Sequence, residues 1–224
     1  AVTNAYRYVH TAGAIYRLEW QIERAFPVTL IMNEPTGADV YAGAQALQAG
    51  VNYVIESDAV TFSAVTKAGY TFFAWSGSDF EDTRETAVTL PVHAARTLSL
   101  IILNDNHVAA EVAWSGAAGG KWTDIANWAG GAFPQAGDAV TITAGNSQSI
   151  TLGLTPPDLA SFSIGNTGGG TTKLRLSNWS TCVRANAITV NNGGVICVEN
   201  AFTDEQMSNR VWLAGQTLTV NAGG

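Results

Sequence analysis

The chain has 224 residues, a formal net charge of −7, only 13% charged residues and 23 glycines. Nucleic-acid binding needs clustered basic residues, and none are clustered here, so the composition argues against a nucleic-acid partner. The longest apolar run, residues 98–103, is far shorter than the ~20 residues of a membrane helix, so membrane insertion is not expected. Low charge with many glycines is typical of β-rich extracellular proteins.

The chain starts at Ala1, without a methionine and without a charged-then-apolar leader. We therefore expect either that a signal peptide has been removed or that the chain is an excised piece of a longer protein. Both alternatives fit a secreted product, so an extracellular or cell-surface location is expected.

Residues 1–27 are predicted to form an extended N-terminal segment. Within it, apolar residues alternate strictly with polar ones, and the apolar set is Tyr16, Leu18, Trp20 and Ile22. A period of two predicts a half-buried strand, although a helical spacing of apolar residues also fits this segment. Such a strand either pairs inside its own domain or serves as an assembly strand that adds to a neighbouring subunit.

Residues 28–110 are predicted to be a small β module of short strands separated by turns. The strands are expected at residues 28–32, 51–56, 60–65, 68–77, 88–92 and 97–103. In the fourth of these, strict alternation would place Tyr70, Phe72 and Ala74 on one face. Phe73 and Trp75 would then face the other way.

The order of motifs in this module resembles the internalin-B-type B-repeat over about residues 28–104. The resemblance is carried by Val-Thr-Phe at 60–62, Gly-Tyr-Thr-Phe at 69–72, Trp-Ser-Gly at 75–77 and Val-Thr-Leu-Pro-Val at 88–92. It implies a β-grasp-like module used as a spacer or stalk in bacterial surface proteins, without an active site. The aromatic residues would then belong to the core.

The loop at residues 76–85 carries four carboxylates, Asp79, Glu81, Asp82 and Glu85. Carboxylate oxygens are ligands that calcium prefers, which makes these residues weak calcium candidates. Their spacing matches neither the twelve-residue EF-hand loop nor the glycine-rich nonapeptide of calcium-binding β-rolls. A solvated loop without a cofactor is the alternative.

Residues 111–140 are predicted to be a Trp-rich connector and cap. Three tryptophans, Trp114, Trp122 and Trp128, lie among glycines and alanines. Each ring can bury roughly 200 Å², so the three are expected to form a compact cluster. The polar members of the pattern are Asp124, Asn127 and Asp138, and the first two are suited to bonding backbone donors at turns.

This segment resembles the start of the repeat regions of bacterial autotransporter-type and adhesin-like proteins, where a right-handed parallel β-solenoid comes next in the chain. The resemblance implies that the tryptophans close an end of the solenoid core, which has unpaired backbone and apolar side chains to cover. The alternative is a sugar-stacking platform, because indole faces suit pyranose rings.

Residues 141–224 are predicted to form solenoid rungs. Short apolar runs alternate with turns rich in asparagine and glycine, as at 165–170 and 191–194. Their spacing predicts two or three rungs of about 20 to 25 residues. A β-sandwich of hairpins is the competing fold, since residues 191–194 suit a hairpin turn. No second Trp-rich or charged cap follows residue 220, so an open C-terminal face is expected.

The two cysteines, Cys182 and Cys197, lie 15 residues apart in similar Cys-Val contexts. A disulfide between them would contribute on the order of 3 kcal/mol. The alternative is two free thiols packed as small hydrophobic groups.

No nucleophile elbow, phosphate loop or histidine–cysteine metal spacing occurs in the sequence. Acids that could meet in space for glycoside hydrolysis are present in the solenoid half, at Asp158, Glu199, Asp204 and Glu205. With so few predicted rungs, an enzyme is not expected.

The sequence therefore predicts an all-β protein: a small B-repeat-like module, followed by a short parallel β-solenoid with a Trp-rich N-terminal cap. The expected function is that of a non-catalytic structural or adhesive module of a bacterial surface protein or filament. It would associate with itself through open strand edges or solenoid ends. The alternatives are a carbohydrate-binding module using Trp20, Trp75, Trp179 or Trp212, and the non-catalytic flank of a polysaccharide-degrading enzyme.

Overall fold

The computed structural model describes residues 2–9, 17–116, 118–203, 205, 207–208 and 210–224, with backbone only for 2–9 and 17–22. About 55% of the chain is in strands, and a parallel β-solenoid of about four turns follows an N-terminal sheet region. The helical elements in these ranges are two short 3-10 turns, Ile125–Asn127 and Ala129–Gly131. No described helix is long and apolar enough to cross a membrane.

The N-terminal region is a sandwich of two sheets. Its strands, in chain order, are β1 (Val2–Val9), β2 (Arg17–Met32), β3 (Ala38–Ala42), β4 (Gln45–Leu47), β5 (Gly50–Ile55), β6 (Ser57–Thr66), β7 (Tyr70–Gly77), β8 (Ala87–Val92) and β9 (Arg96–Asn104). Sandwich sheet 1 has the order β1-β2-β9-β7, with β5 also paired to β2, and sandwich sheet 2 has the order β4-β3-β6-β8. Alternating apolar residues of the two sheets meet in one buried core, which includes Leu30, Phe62, Trp75 and Leu98.

The predicted N-terminal strand is extended and pairs inside the chain. The first half of β2 forms an antiparallel pair with β1, in the register Tyr6 with Trp20 and Tyr8 with Leu18. Leu18, Trp20 and Ile22 thus lie in β2, whereas Tyr16 lies outside the described residues. The helical alternative for this segment is therefore wrong. Of the two pairing alternatives, the structure has the one in which the strand pairs within its own chain.

The strict alternation predicted for β7 is wrong at its centre. The register between β7 and β9 shifts between Phe72 and Ala74, which is a β-bulge. A bulge adds one residue to one strand and reverses the facing of the residues beyond it. Tyr70, Phe72 and Trp75 therefore pack on the sandwich core, while Phe73 and Ala74 belong to the core on the other side of the sheet.

The solenoid is built from pairs of strands that stack in parallel. Its strands are β10 (Glu111–Ala113), β11 (Gly120–Lys121), β12 (Ala139–Ala144), β13 (Gln148–Leu152), β14 (Leu159–Asn166), β15 (Thr172–Leu176), β16 (Val183–Val190), β17 (Gly194–Val198), β18 (Leu213–Ala214) and β19 (Thr217–Val220). Solenoid sheet 1 has the order β10-β12-β14-β16-β18, with β19 also on β16, and solenoid sheet 2 has the order β11-β13-β15-β17.

Aligned positions in successive strands stack their side chains into columns inside the solenoid. One column consists of Val112, Val140, Phe162, Ile188 and Leu218 in solenoid sheet 1. Another, in solenoid sheet 2, consists of Ile150, Leu174 and Ile196. Parallel strands about 4.8 Å apart bring such residues into direct contact, so the columns form a continuous core.

The structure corrects two predictions for this half of the chain. The spacing predicts two or three rungs and about four turns are observed, because β10 and β11 lie within the predicted connector and already form the first rung. The competing sandwich of hairpins is wrong: β16 and β17, on either side of residues 191–194, pair in parallel with strands of other rungs rather than with each other.

The last described strand, β19, leaves apolar side chains exposed. Leu218 is 57% exposed and Val220 59% exposed, whereas their column neighbours Ile188 and Val190 are buried. Among the described strands, β19 pairs only with β16. This end of the described solenoid therefore presents both a strand edge and the apolar ends of two columns.

Candidate functional site

The sandwich and the solenoid meet at a buried contact, here called the joint. Phe73, Ala74 and Ile101 of sandwich sheet 1 belong to the same hydrophobic cluster as the tryptophans and the solenoid columns. The ring of Phe73 packs against Phe133, with 5.3 Å between the ring centroids. The bulge in β7 makes this possible, because it turns Phe73 and Ala74 away from the sandwich core together.

The three tryptophans of the predicted cap form the centre of the joint. Trp122 and Trp128 are each 1% exposed, and Trp114 is also buried. The Trp128 ring lies edge-on to Trp114 and Trp122, at centroid distances of 5.1 and 4.8 Å. The Trp128 Nε1 donates to the Trp122 carbonyl at 2.8 Å. Burial of this depth leaves these rings no face for stacking on a sugar.

Asp124 and Asn127 shape the loop that carries these rings. The Asp124 side chain accepts a hydrogen bond from the Ala126 amide at 3.2 Å, at the start of the first 3-10 turn. The Asn127 carbonyl accepts from the amides of Ser115 and Gly116. The loop between β11 and β12 is thus folded back onto the segment after β10, which holds Trp114 and Trp128 together.

Asp138 ties the segment after β9 to the start of β12. Its carboxylate is fully buried and accepts from His107 Nε2 at 2.6 Å, the Ala110 amide at 2.8 Å and the Gln135 amide at 2.8 Å. Gln135 in turn accepts from the Asn104 amide at 2.7 Å. A buried carboxylate needs such donors, so this network fixes how the chain leaves the sandwich.

The acidic loop contributes to the joint. Asp82 accepts from Lys121 Nζ at 3.1 Å and from the Thr123 hydroxyl, and Asp79 pairs with Arg96 at 3.0 Å. Each aspartate therefore already faces donors of its own, while Glu81 and Glu85 are exposed. Within the described ranges, no group of three or more His, Cys, Asp or Glu side chains is placed to hold a metal ion.

Two cationic side chains, Lys121 and Arg84, link the 76–85 loop and the sandwich to the solenoid. Lys121 also donates to the carbonyls of Gly77 and Phe80, at 2.7 and 2.8 Å. Arg84 lies over the ring of Phe73 and donates to the Thr155 carbonyl at 2.6 Å. Burial lowers the pKa of the Arg84 guanidinium, because desolvation disfavours its charged form.

Of the two alternatives for the cysteines, the structure has the free thiols, and no bond joins Cys182 and Cys197. Cys182 is buried just before β16 in solenoid sheet 1. Cys197 aligns with Arg175 in solenoid sheet 2, on the outward-facing positions of β15 and β17. Cys182 thus lies just before a strand of solenoid sheet 1, whereas Cys197 lies on the outer face of solenoid sheet 2.

The four candidate sugar-stacking tryptophans differ in how far the structure exposes them. Trp75 is fully buried in the sandwich, and the side chain of Trp20 lies outside the described part. Trp179 and Trp212 are both partly exposed and both contact the Arg210 guanidinium, at 4.6 and 4.2 Å from the ring centroids. Binding of a glycan at this pair stays a prediction.

Two of the four acids considered for glycoside hydrolysis, Glu199 and Asp158, have separate partners. Glu199 accepts from the Thr151 hydroxyl at 3.1 Å, and Asp158 pairs loosely with Arg184 at 3.9 Å. Glu205 is exposed, and Asp204 lies outside the described residues.

Three residues of the joint carry little signal that sequence reasoning could use. Lys121, Thr123 and Gln135 contact partners that lie 31 to 101 positions away in the chain. The one available signal concerns Lys121. The chain has only three lysines, so each of them is a candidate for a specific contact.

Comparison with protein-family models, with curated proteins and with solved structures finds no match. The resemblances to the B-repeat and to autotransporter repeat regions therefore stay predictions from the residues that carry them.

Proposed function

We propose that this chain is a non-catalytic structural or adhesive module of an extracellular bacterial surface protein or filament. The observation that carries the proposal is the joint: one hydrophobic cluster runs from sandwich sheet 1 through the tryptophans into the solenoid. A buried connection of this kind transmits force and orientation, because packed interiors have low compressibility.

The solenoid supplies the stiffness of such a module. Its parallel ladders run along the stacking direction from β10 to β19, and each rung contacts its neighbours. The polar side chains around the tryptophans bond to backbone groups and to neighbouring side chains, as with Asp82 and Asp138. The joint is thus organised as a mechanical connection, which fits a role as spacer or stalk.

In this proposal two copies of the chain associate through β19. A strand of the second copy adds in parallel to the exposed edge of β19. Free strand edges with exposed apolar side chains are sites of strand addition. Leu218 and Val220 continue the inner columns of Ile188 and Val190. Thr217 and Thr219 align instead with Ala187 and Thr189, which face outward.

The test is sedimentation velocity of the 224-residue chain across a range of micromolar concentrations. We expect concentration-dependent association, and we expect Leu218→Asp to suppress it, because a buried unpaired carboxylate would be costly in the contact. Thr219→Asp is the matched control, with the same charge change on the same strand but on the outer face, and it should leave association unchanged. A wild-type chain that stays monomeric, or equal effects of both variants, would contradict association through β19.

A further inference from the structure

A second feature lies on the outer face of solenoid sheet 2. In β15, Leu174 and Leu176 are buried inside the solenoid, so Lys173 and Arg175 face outward. Lys173 aligns with Ser149, and Arg175 aligns with Thr151 and Cys197. An open groove of ≈ 710 Å³ is lined by Ser149, Lys173, Arg175 and Cys197, and Glu199 is the one acidic residue in its lining.

The donors in this groove are largely unused. Among the described residues, Lys173 is exposed and makes no hydrogen bond or ion pair. Arg175 comes within 4.0 Å of Glu199, which is beyond hydrogen-bond distance, and its buried Nε has no partner in the described part of the chain. The buried Ser149 hydroxyl is likewise without a described partner. Buried polar groups are normally paired, so two unpaired ones beside a free ammonium need an explanation.

The charges in the groove do not balance. Lys173 and Arg175 stand two positions apart on one face of a strand, which places them roughly 7 Å from each other. Glu199 supplies one negative charge against these two positive charges, so one positive charge in the groove is left without a counter-charge. In a chain of net charge −7, this is a local excess of positive charge held on a rigid ladder.

We propose that Lys173 and Arg175 form an oxyanion site that takes a carboxylate or sulfate, either free or carried by a sugar chain. An oxyanion between the two side chains would be within reach of both, and a guanidinium can hold it with two parallel hydrogen bonds. Ser149 aligns with Lys173 and lines the same groove. Solenoid sheet 2, which carries the site, does not include β19.

Cys197 provides a reporter within the groove, because it is partly exposed while Cys182 is buried. The experiment follows alkylation of Cys197 by neutral iodoacetamide, resolved by mass spectrometry, at constant ionic strength. The probes are sodium sulfate, a tetra-uronate oligosaccharide, and the same oligosaccharide with its carboxylates reduced to alcohols. An occupied site should slow alkylation about threefold when the probe is at twice its Kd, because the free fraction falls as 1/(1 + [L]/Kd).

The matched variants are Lys173→Met and Lys67→Met, which remove the same charge from the groove and from the sandwich. Protection should be lost in Lys173→Met and kept in Lys67→Met. Protection by sulfate and uronate at similar concentrations assigns a free oxyanion, and protection by uronate at much lower concentrations assigns an acidic glycan. The proposal is overturned if neither anion slows alkylation, if the reduced oligosaccharide protects equally, or if the two variants behave alike.

Discussion

Replacement of Trp128 by alanine should lower the free energy of unfolding by about 3–5 kcal/mol, the range typical of removing a buried large aromatic side chain. The indole is 1% exposed, lies edge-on to two other indoles and donates to the Trp122 carbonyl. Its loss would leave a cavity between the sandwich and the first rung, which the rigid ladders cannot easily close. Chemical denaturation followed by far-UV circular dichroism measures the change.

Trp179→Ala is the control for this variant. Trp179 is 45% exposed and contacts mainly Arg210, so we expect a loss below about 1 kcal/mol. If the two variants lose similar amounts of unfolding free energy, Trp128 contributes no more to stability than an exposed tryptophan, and the prediction is contradicted.

Asp138→Ala should have an effect of comparable size, about 3–5 kcal/mol, because removing a buried charged acceptor leaves its donors without partners. The donors are His107, the Ala110 amide and the Gln135 amide, all within 2.8 Å. The carboxylate itself is fully buried, so water cannot replace it without rearrangement of the chain between β9 and β12. Equilibrium unfolding in urea measures the loss.

Asp158→Ala tests whether this effect is specific. The Asp158 side chain is 76% exposed and its ion pair with Arg184 spans 3.9 Å, so a loss of no more than about 1 kcal/mol is expected. A small loss for Asp138→Ala, within that same range, would mean that the network does not hold the chain between the sandwich and the solenoid.

The all-β class and the solenoid were predictable because they depend on local patterns. Runs such as those at 139–143 and 172–176 alternate apolar and polar residues, and they form β12 and β15 with their apolar positions inside. The predicted number of rungs is too low, since β10 and β11 are only three and two residues long. Elements that short carry too little periodicity to be recognised.

The joint was not predictable from the sequence, and the reason is physical. A β-bulge depends on how two strands pair, so the alternation of residues 70–77 gave no sign that Phe73 and Ala74 would turn to the solenoid. The acids of the 76–85 loop suggested calcium, but Asp82 is satisfied by Lys121, which lies 39 positions further along the chain. Contacts across such separations are set by the fold as a whole.

The central claim is that the sandwich and the solenoid form one rigid, cooperative unit, and native-state hydrogen exchange of the whole chain tests it most directly. We expect the amides of Leu100 in β9 and Ile164 in β14 to exchange with the same free energy of opening, since packed units open together. Phe73→Ala, at the contact with Phe133, should lower both values by the same amount. The claim is contradicted if Leu100 opens at a clearly lower free energy than Ile164, or if Phe73→Ala changes only one of them.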